Sequence, residues 1–484
     1  MIPEDDCLGL DYKSDGPHKV ALAESTIKAN SRNFRCKYLN RRHFSMYRKL
    51  FSRHILIGET FQSGTLIFDD KIRAFLPADT GDAVPTGGPD ADCIGICAAS
   101  EKAGAGRNGI CAASEKADAG RNGMCAASGK ADTDRPDIGR ESGEAAESQL
   151  YEDLSDCYVV PGLVDIHTHA AMGADASDGE AEGLNVMSRF YASNGVTSFC
   201  PTTMTLKEPE LARACRTIRD FRRPSGGARC AGVNLEGPFV SEQKRGAQNR
   251  DNIHVPDLDM LLRLQETAGG CVRLVTVAPE TEGGIAFIRE ASKICQVSLG
   301  HTMTDYETAV RAFQAGAGHV THLFNAMPPL HHRMPGLIGA AYDCGASVEL
   351  ICDGLHVHPS AVRIAEDLFR GRLALISDSL RCTGMPDGDY PFGGQMITLK
   401  DQKATLKGSD TLAGSVISLL EGVRRAVSFG ISLERALTAA SAVPAAVIGK
   451  SGEIGSLRGG CSADILALDS SLRVRKVWIG GKTV

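Results

Sequence analysis

From Tyr158 to about Ser379 the chain alternates short apolar runs with longer stretches in which apolar residues recur every three or four positions. That alternation predicts strand followed by helix, many times over, as in a parallel sheet wrapped by helices. The runs that read as strands centre on residues 159–166, 196–200, 231–235, 272–277, 296–300, 319–323, 347–352 and 373–377, and stretches such as 208–222 and 284–294 read as helices between them. Eight such units predict a (β/α)8 TIM barrel, taken to span residues 151–445, in which reactive groups gather at the C-terminal ends of the strands. Before and after it the pattern changes: His54–Thr60, Gly64–Phe75, Ala463–Asp469 and Val474–Val484 read as short strands with tight turns. The two ends, residues 46–84 and 446–484, are expected to share one sheet.

Two segments carry no such pattern. Residues 1–45 are polar, without a clear period, and read as a leader. Between residues 85 and 150 a fourteen-residue unit beginning Gly95-Ile-Cys-Ala-Ala-Ser returns from Gly109 and, degraded, from Gly123. Each copy holds too little apolar surface to pack a core, so the segment reads as a disordered insertion. Its Cys93, Cys97, Cys111 and Cys125 ride the repeat at spacings that match no zinc pattern.

With 43% hydrophobic and 23% charged residues and a formal charge of −6, the chain has the composition of a globular protein and no electrostatic reason to bind nucleic acid or an anionic membrane. No apolar run is long enough to span a bilayer, and Met1-Ile-Pro-Glu-Asp-Asp lacks the basic start and apolar core of a secretion signal. The chain is therefore expected in the cytoplasm, with its cysteines as free thiols and a small molecule as its ligand.

The candidate chemistry sits where the strands end. His167 and His169 lie two apart on the first strand, so both side chains leave one face, the barrel interior. Alone, such a pair is more often a buried one satisfied by backbone. Here it heads a series: Glu236 ends the third strand, His301 the fifth, His322 the sixth and Asp378 the eighth. A buried carboxylate needs a cation or strong donors to stay ionised. Nitrogen and oxygen donors together suit zinc, iron or another divalent transition metal better than calcium or magnesium. A metal of this kind lowers the pKa of bound water and polarises a carbonyl, which predicts hydrolysis. Asp378 is expected to take the proton of the attacking water and deliver it to the leaving group. His356, after the seventh strand, is expected to donate to the substrate carbonyl, whereas His358, next to Pro359, reads as a helix-entry residue. Arg333 stands in a loop with three prolines, Phe324–Gly336, beside Asn325, and is expected to clamp an anion such as phosphate. His331 and His332 read as plain loop residues, and Lys244–Gln248 as a second loop able to close over a polar substrate.

Pro161-Gly-Leu-Val-Asp-Ile-His-Thr-His, Leu235-Glu-Gly-Pro-Phe, Gly300-His-Thr, Thr321-His-Leu-Phe-Asn-Ala-Met, Asp353-Gly-Leu-His, Ser377-Asp-Ser, Thr383-Gly-Met-Pro-Asp-Gly and Leu412-Ala-Gly-Ser together resemble the motifs of the amidohydrolase superfamily, and within it those of the N-acetylglucosamine-6-phosphate deacetylases. The resemblance covers roughly residues 50–84 and 150–484. Its Asn-Ala-Met-Pro and Asp-Gly-Leu-His segments separate that family from dihydroorotases and hydantoinases. It implies a TIM barrel with a small β-sandwich domain built from both chain ends, a homodimer, and hydrolysis of N-acetylglucosamine 6-phosphate to glucosamine 6-phosphate and acetate. By motif, Glu236, His301 and His322 match metal ligands and Asp378 the proton-transfer carboxylate. Ala247, Gln248, Asn325, Ala326 and Arg333 match segments that hold the sugar phosphate, as do Asp353, Gly354, Leu355 and His356, and Leu412, Ala413 and Gly414; some of these reach across the dimer. Members that keep the first His-x-His hold two ions and others one, so two are expected here. Ala170, Gln248 and Met334 depart from the commonest residues and leave the exact sugar open. Alternatives are another amidohydrolase, acting on N-acetylgalactosamine 6-phosphate or a cyclic amide, and a barrel that serves only as a scaffold.

Overall fold

The computed structural model describes residues 47–78 and 151–484; the leader and the repeat insertion lie outside the described residues. Its centre is a barrel of parallel strands, Leu163–Thr168, Val196–Thr203, Val233–Phe239, Val272–Val277, Gln296–Leu299, His319–Val320, Ser347–Ile351 and Leu373–Ile376, each paired with the next in chain order. The ring closes where the Asp378 N–H donates to the His167 carbonyl at 2.9 Å. Helices cover the outside. Glu208–Asp220 shows why they form: Leu211, Ala214, Cys215 and Ile218, at helical spacing, make its buried stripe, while Glu208 and Glu210 oppose the helix dipole at the first turn. Inside, Val164 and Cys200 meet Leu274, Ile351 and Ala374 from strands across the ring, and the helix Ala442–Val447 closes that core with Val443 and Ala445. The helix candidate at 284–294 is shorter than its pattern, ending at Ala291.

The run expected as a single strand at 159–166 serves two sheets. Tyr158–Pro161 pairs with Arg48–Ile57 and Ile465–Leu468, and the barrel strand starts only at Leu163. Gly162 makes the crossing possible, since a Cβ there would stand 2.2 Å from the Thr197 side chain. Both chain ends enter the outer sheet, whose order runs from Lys482–Thr483 through Val474–Ile479, Ile465–Leu468, Tyr158–Pro161 and Arg48–Ile57 to Thr60–Phe68 and Ile72–Pro77. Phe68 and Trp478 lie on strands four places apart, about 19 Å in a flat sheet, yet their ring centroids are 6.2 Å apart. The sheet therefore folds over on itself as a small sandwich, around Leu50, Leu66, Phe68, Val159, Ile465 and Trp478.

After the last barrel strand comes an antiparallel sheet that the sequence pattern did not suggest, Gly388–Phe392, Gln395–Lys400 and Lys403–Leu406. It carries Phe392 to the mouth of the barrel, 5.7 Å from the His169 ring. Every cysteine among the described residues is a free thiol, and among those residues no helix is long and apolar enough to cross a membrane.

Candidate metal centre

The strand ends deliver their polar side chains to one point. His167 leaves the first strand and Glu236 the third, and His169, His301, His322 and Asp378 stand just beyond the first, fifth, sixth and eighth. All six are buried. His301, His322 and Asp378 have φ of 47°, 28° and 47°, values rare for residues with a Cβ and costly unless the surroundings hold them. Each turns its side chain inward at the place where the chain leaves the barrel. Behind Glu236 the chain turns at Gly237, φ 95°, whose missing Cβ leaves room for the Thr205 hydroxyl.

Glu236 is the hub. Its Oε1 lies 3.3 Å from His167 Nε2, 3.1 Å from His301 Nε2 and 3.0 Å from His322 Nε2, and its Oε2 3.2 Å from His169 Nε2. Asp378 Oδ1 is 3.3 Å from His169 Nε2 and 3.6 Å from His167 Nε2. The far sides of three of the rings decide what these approaches mean, while the buried Nδ1 of His322 has no partner among the described residues. His301 Nδ1 donates to the Lys244 carbonyl at 2.8 Å, His169 Nδ1 to the Thr202 carbonyl at 3.2 Å, and His167 Nδ1 to the Glu349 carboxylate at 2.8 Å. With Nδ1 carrying the hydrogen, a neutral ring points a lone pair from Nε2 at the center. Lone pairs facing carboxylate oxygens at 3 Å repel unless a cation lies among them. Donors about 2.1 Å from a tetrahedral ion stand about 3.4 Å from one another, close to the spacing seen here. The residues thus fit a divalent metal, as two overlapping sets, His167, His169 and Glu236, and Glu236, His301 and His322.

Without an ion, protons do that work. Burial drives the Glu236 carboxyl upward, but the charges of His167 and His301 overcome it and hold it well below the usual range. Burial likewise works against charged imidazoles, yet Glu349 and Glu236 hold His167 well above its ordinary value, and Asp378 and Glu236 hold His169 up to about 9.

Around the hub lies a cavity of about 350 Å³. Asp378, His356, Asn325 and Ala326 line one part of it, Ala247 and Gln248 another, and Leu412, Ala413 and Gly414 a third. Gln248 also grips the hub, donating to Glu236 Oε2 at 2.6 Å while accepting the Thr205 N–H at 2.7 Å. Asp353 sits behind His356, 2.6 Å from its Nδ1, and its other oxygen accepts the N–H groups of Leu355 and His356. Burial opposes a charge on either partner, but the pair holds His356 above and Asp353 below their ordinary values. Asp353, Gly354 and Leu355 do not line the cavity. Neither does Arg333, which is exposed and turned to His332 at 2.8 Å, so in its own chain it clamps nothing. His358 caps the helix Pro359–Leu368.

Sequence reasoning missed Glu349, Met204, Gln243, Thr411 and Phe392. Glu349 is 1% exposed; its oxygens hold His167, His319 at 3.2 Å and the His322 backbone N–H at 3.2 Å. A charge inside the apolar run Val348–Cys352 was the signal available for it.

The sequence profile of the amidohydrolase family matches residues 158–484. The chain is 40% identical over 284 residues to N-acetylglucosamine-6-phosphate deacetylase of Bacillus subtilis, spanning 57% of this chain and 71% of that protein. It is 35% identical over 329 residues to N-acetylgalactosamine-6-phosphate deacetylase of Escherichia coli, spanning 66% and 86%. Among solved structures, N-acetyl-D-glucosamine-6-phosphate deacetylase of Mycobacterium smegmatis, an aspartate-to-alanine mutant in complex with N-acetyl-D-glucosamine 6-phosphate, is 27% identical and superposes with a TM-score of 0.72, covering 90% of this chain and 99% of that one. The profile covers every residue of the metal centre, and with relatives matched over most of their length it places the chain in the amidohydrolase family of metal-dependent hydrolases.

Proposed function

We propose that this chain hydrolyses N-acetylglucosamine 6-phosphate to glucosamine 6-phosphate and acetate, in the breakdown of amino sugars. The observation that carries the reading is the convergence of four imidazole nitrogens and the Asp378 carboxylate around Glu236 beside one cavity, in a chain 40% identical to a deacetylase of that name. The donor set favours zinc or iron, with His167, His169 and Glu236 holding one ion and Glu236, His301 and His322 a second. Bound there, such an ion supplies an activated water and a polarised acetyl carbonyl.

The chain's own residues do the rest. Asp378, at the floor of the cavity, takes the proton of the attacking water and returns it to the departing amine. His356, oriented by Asp353, which also favours its protonated form, donates to the acetyl oxygen as negative charge builds on it. Gln248 keeps Glu236 from rotating. Asn325, Ala326, Ala247 and the segment Leu412–Gly414 contact the sugar, and Asp353, Gly354 and Leu355 shape the turn that presents His356. Arg333 contacts the phosphate by reaching into the cavity of a partner subunit. Leu330 and Met334, exposed to 48% and 70%, stand in the same loop as apolar side chains suited to a homodimer contact. Free thiols and a phosphorylated substrate support a reaction in the reducing cytoplasm.

The relative from Escherichia coli supports a second reading, with N-acetylgalactosamine 6-phosphate as substrate. Acetate release from both sugar phosphates and from unphosphorylated N-acetylglucosamine, before and after chelation, tests both. Chelator-sensitive release that is fastest from N-acetylglucosamine 6-phosphate is expected. Preference for the galactosamine compound would install the second reading, and release from neither phosphate by metal-loaded protein would remove both.

A further inference from the structure

A cavity of about 600 Å³, larger than that at the metal centre, lies at the opposite end of the barrel, where strands two, three and four begin. Five cations line it: Arg219, Arg223, Arg229, Arg273 and Lys450. Three of them are neutralised, Arg219 by Asp220 at 2.8 Å, Arg229 by Asp464 at 2.9 Å and Lys450 by Glu453 at 2.8 Å. Arg223 donates only to the Gly227 carbonyl, at 3.2 Å. The Arg273 guanidinium makes no hydrogen bond or ion pair among the described residues, and its buried Nε is left without a partner. On the same wall the Ser198 hydroxyl, 1% exposed, is also unpartnered. A buried donor without an acceptor costs about 1–3 kcal/mol, and unneutralised guanidinium groups sharing a cavity add repulsion. Burial and the neighbouring Arg229 accordingly depress the Arg223 pKa. Phe221, Ile218 and Ile454 give the cavity an apolar side.

We infer that this cavity is a second binding site, separate from the metal centre, for a small organic molecule bearing a phosphate monoester. The phosphate is the acceptor that Arg273 and Ser198 lack and an anion for Arg223, which is bonded only to a neutral carbonyl among the described residues, a planar fork matching phosphate oxygens in a two-pronged contact. The volume exceeds what phosphate alone requires and lies in the range of sites for small metabolites. The apolar side receives the carbon portion.

Cys271, half-buried in the cavity wall, reports on occupancy without any mutation. The metal-loaded, full-length protein is treated with N-ethylmaleimide, and alkylation of Cys271 and of the exposed Cys344 is followed by peptide mass spectrometry with increasing inorganic phosphate or glycerol 3-phosphate. At ten times the dissociation constant about a tenth of the sites remain open, so Cys271 labelling slows about tenfold while Cys344 labelling does not change. Glycerol 3-phosphate protects at lower concentration than inorganic phosphate. Arg273→Met, which keeps the aliphatic stem, shifts the protecting concentration up about tenfold or more and leaves acetate release unchanged. Equal labelling of Cys271 with and without phosphate overturns the inference. So does equal protection by chloride at the same ionic strength, or protection that survives Arg273→Met. If the variant does not fold, the labelling of unmutated protein decides alone.

Discussion

Replacing Glu349 with Gln tests whether the metal centre is held from behind. Oε2 of Glu349 receives His167 Nδ1 at 2.8 Å and the His322 N–H at 3.2 Å, and Oε1 faces His319 Nε2 at 3.2 Å. Gln keeps the shape. Its oxygen can take over the Oε2 position, and its NH2 can face His319, provided His319 shifts its proton to Nδ1, where Ser347 Oγ lies 2.7 Å away and accepts. Every polar group then keeps a partner, and what is lost is charge on the acceptor of the His167 bond. A bond to a charged group is worth about 1.5–3 kcal/mol and a neutral one about 0.5–1.5. The difference, about 1–1.5 kcal/mol, corresponds to roughly a tenfold change in affinity, at the lower edge of the about 10–100-fold seen when the outer partner of a metal-binding histidine is removed. Glu349→Ala instead strands all three groups in a buried site at about 1–3 kcal/mol each, so it should cost folding as well. The assay is competition for metal against a chromophoric chelator, with kcat and Tm measured on the same samples. Glu349→Gln should weaken metal binding about tenfold with little change in Tm, and Glu349→Ala should lower both. Metal affinity within twofold of wild type in Glu349→Gln, at about that precision, would sink the argument, because the anchor of His167 would then owe nothing to carboxylate charge.

Asp378→Asn should abolish turnover, a loss of about 10²–10⁴-fold for a missing acid–base group, while metal content by elemental analysis stays nearly unchanged; loss of both together would make Asp378 mainly a ligand. Arg333→Ala should raise KM for the phosphorylated sugar about tenfold or more with little effect on kcat, and unchanged kinetics would remove its phosphate contact. Burial works against a charge on His169, but Asp378 and Glu236 overcome it and hold its pKa up to about 9 in the metal-free protein. A folded value above the unfolded one stabilises the fold fully below about pH 6.5 and ceases to as pH rises through about 9, so Tm of the metal-free protein should fall across that interval. Metal entry at neutral pH into the set His167, His169 and Glu236 should therefore expel at least one proton, read by calorimetry in buffers of different ionisation enthalpy; a binding heat independent of buffer would contradict it.

The barrel was legible because a parallel strand buried on both faces is written as an apolar run, and each run ends where a polar side chain begins the chemistry. His167, Glu236, His301, His322 and Asp378 stand out for that reason, and the structure brings them together. Gly162 hid a boundary: residues 159–166 read as one strand, and only pairing with distant segments, across the close approach of Thr197 to Gly162, divides the run between two sheets. Arg333 hid in another way. A loop's composition says what a residue can bind but not which cavity it faces, and this arginine does not line the cavity of its own metal centre.

Glu349 shows where reading in one dimension stops. In Ser347-Val-Glu-Leu-Ile a carboxylate between apolar neighbours has the alternation of a strand with one wet face. Closure of the ring turns that face into the barrel interior, and the carboxylate is tolerable there only because His167, His319 and the His322 N–H surround it. Those partners come from the first and sixth strands, 182, 30 and 27 residues away. The three ligand-set residues with positive φ follow the same logic, since a left-handed turn at a residue with a Cβ is costly unless its surroundings hold it. His301 holds its turn through the Lys244 carbonyl, His322 through Glu349, and Asp378 through the His167 carbonyl that closes the barrel. The ligand types can thus be read from the chain, but the angles at which they meet belong to the closed ring. Opening the seam at Asp378 would disturb the metal centre before it disturbed any single strand.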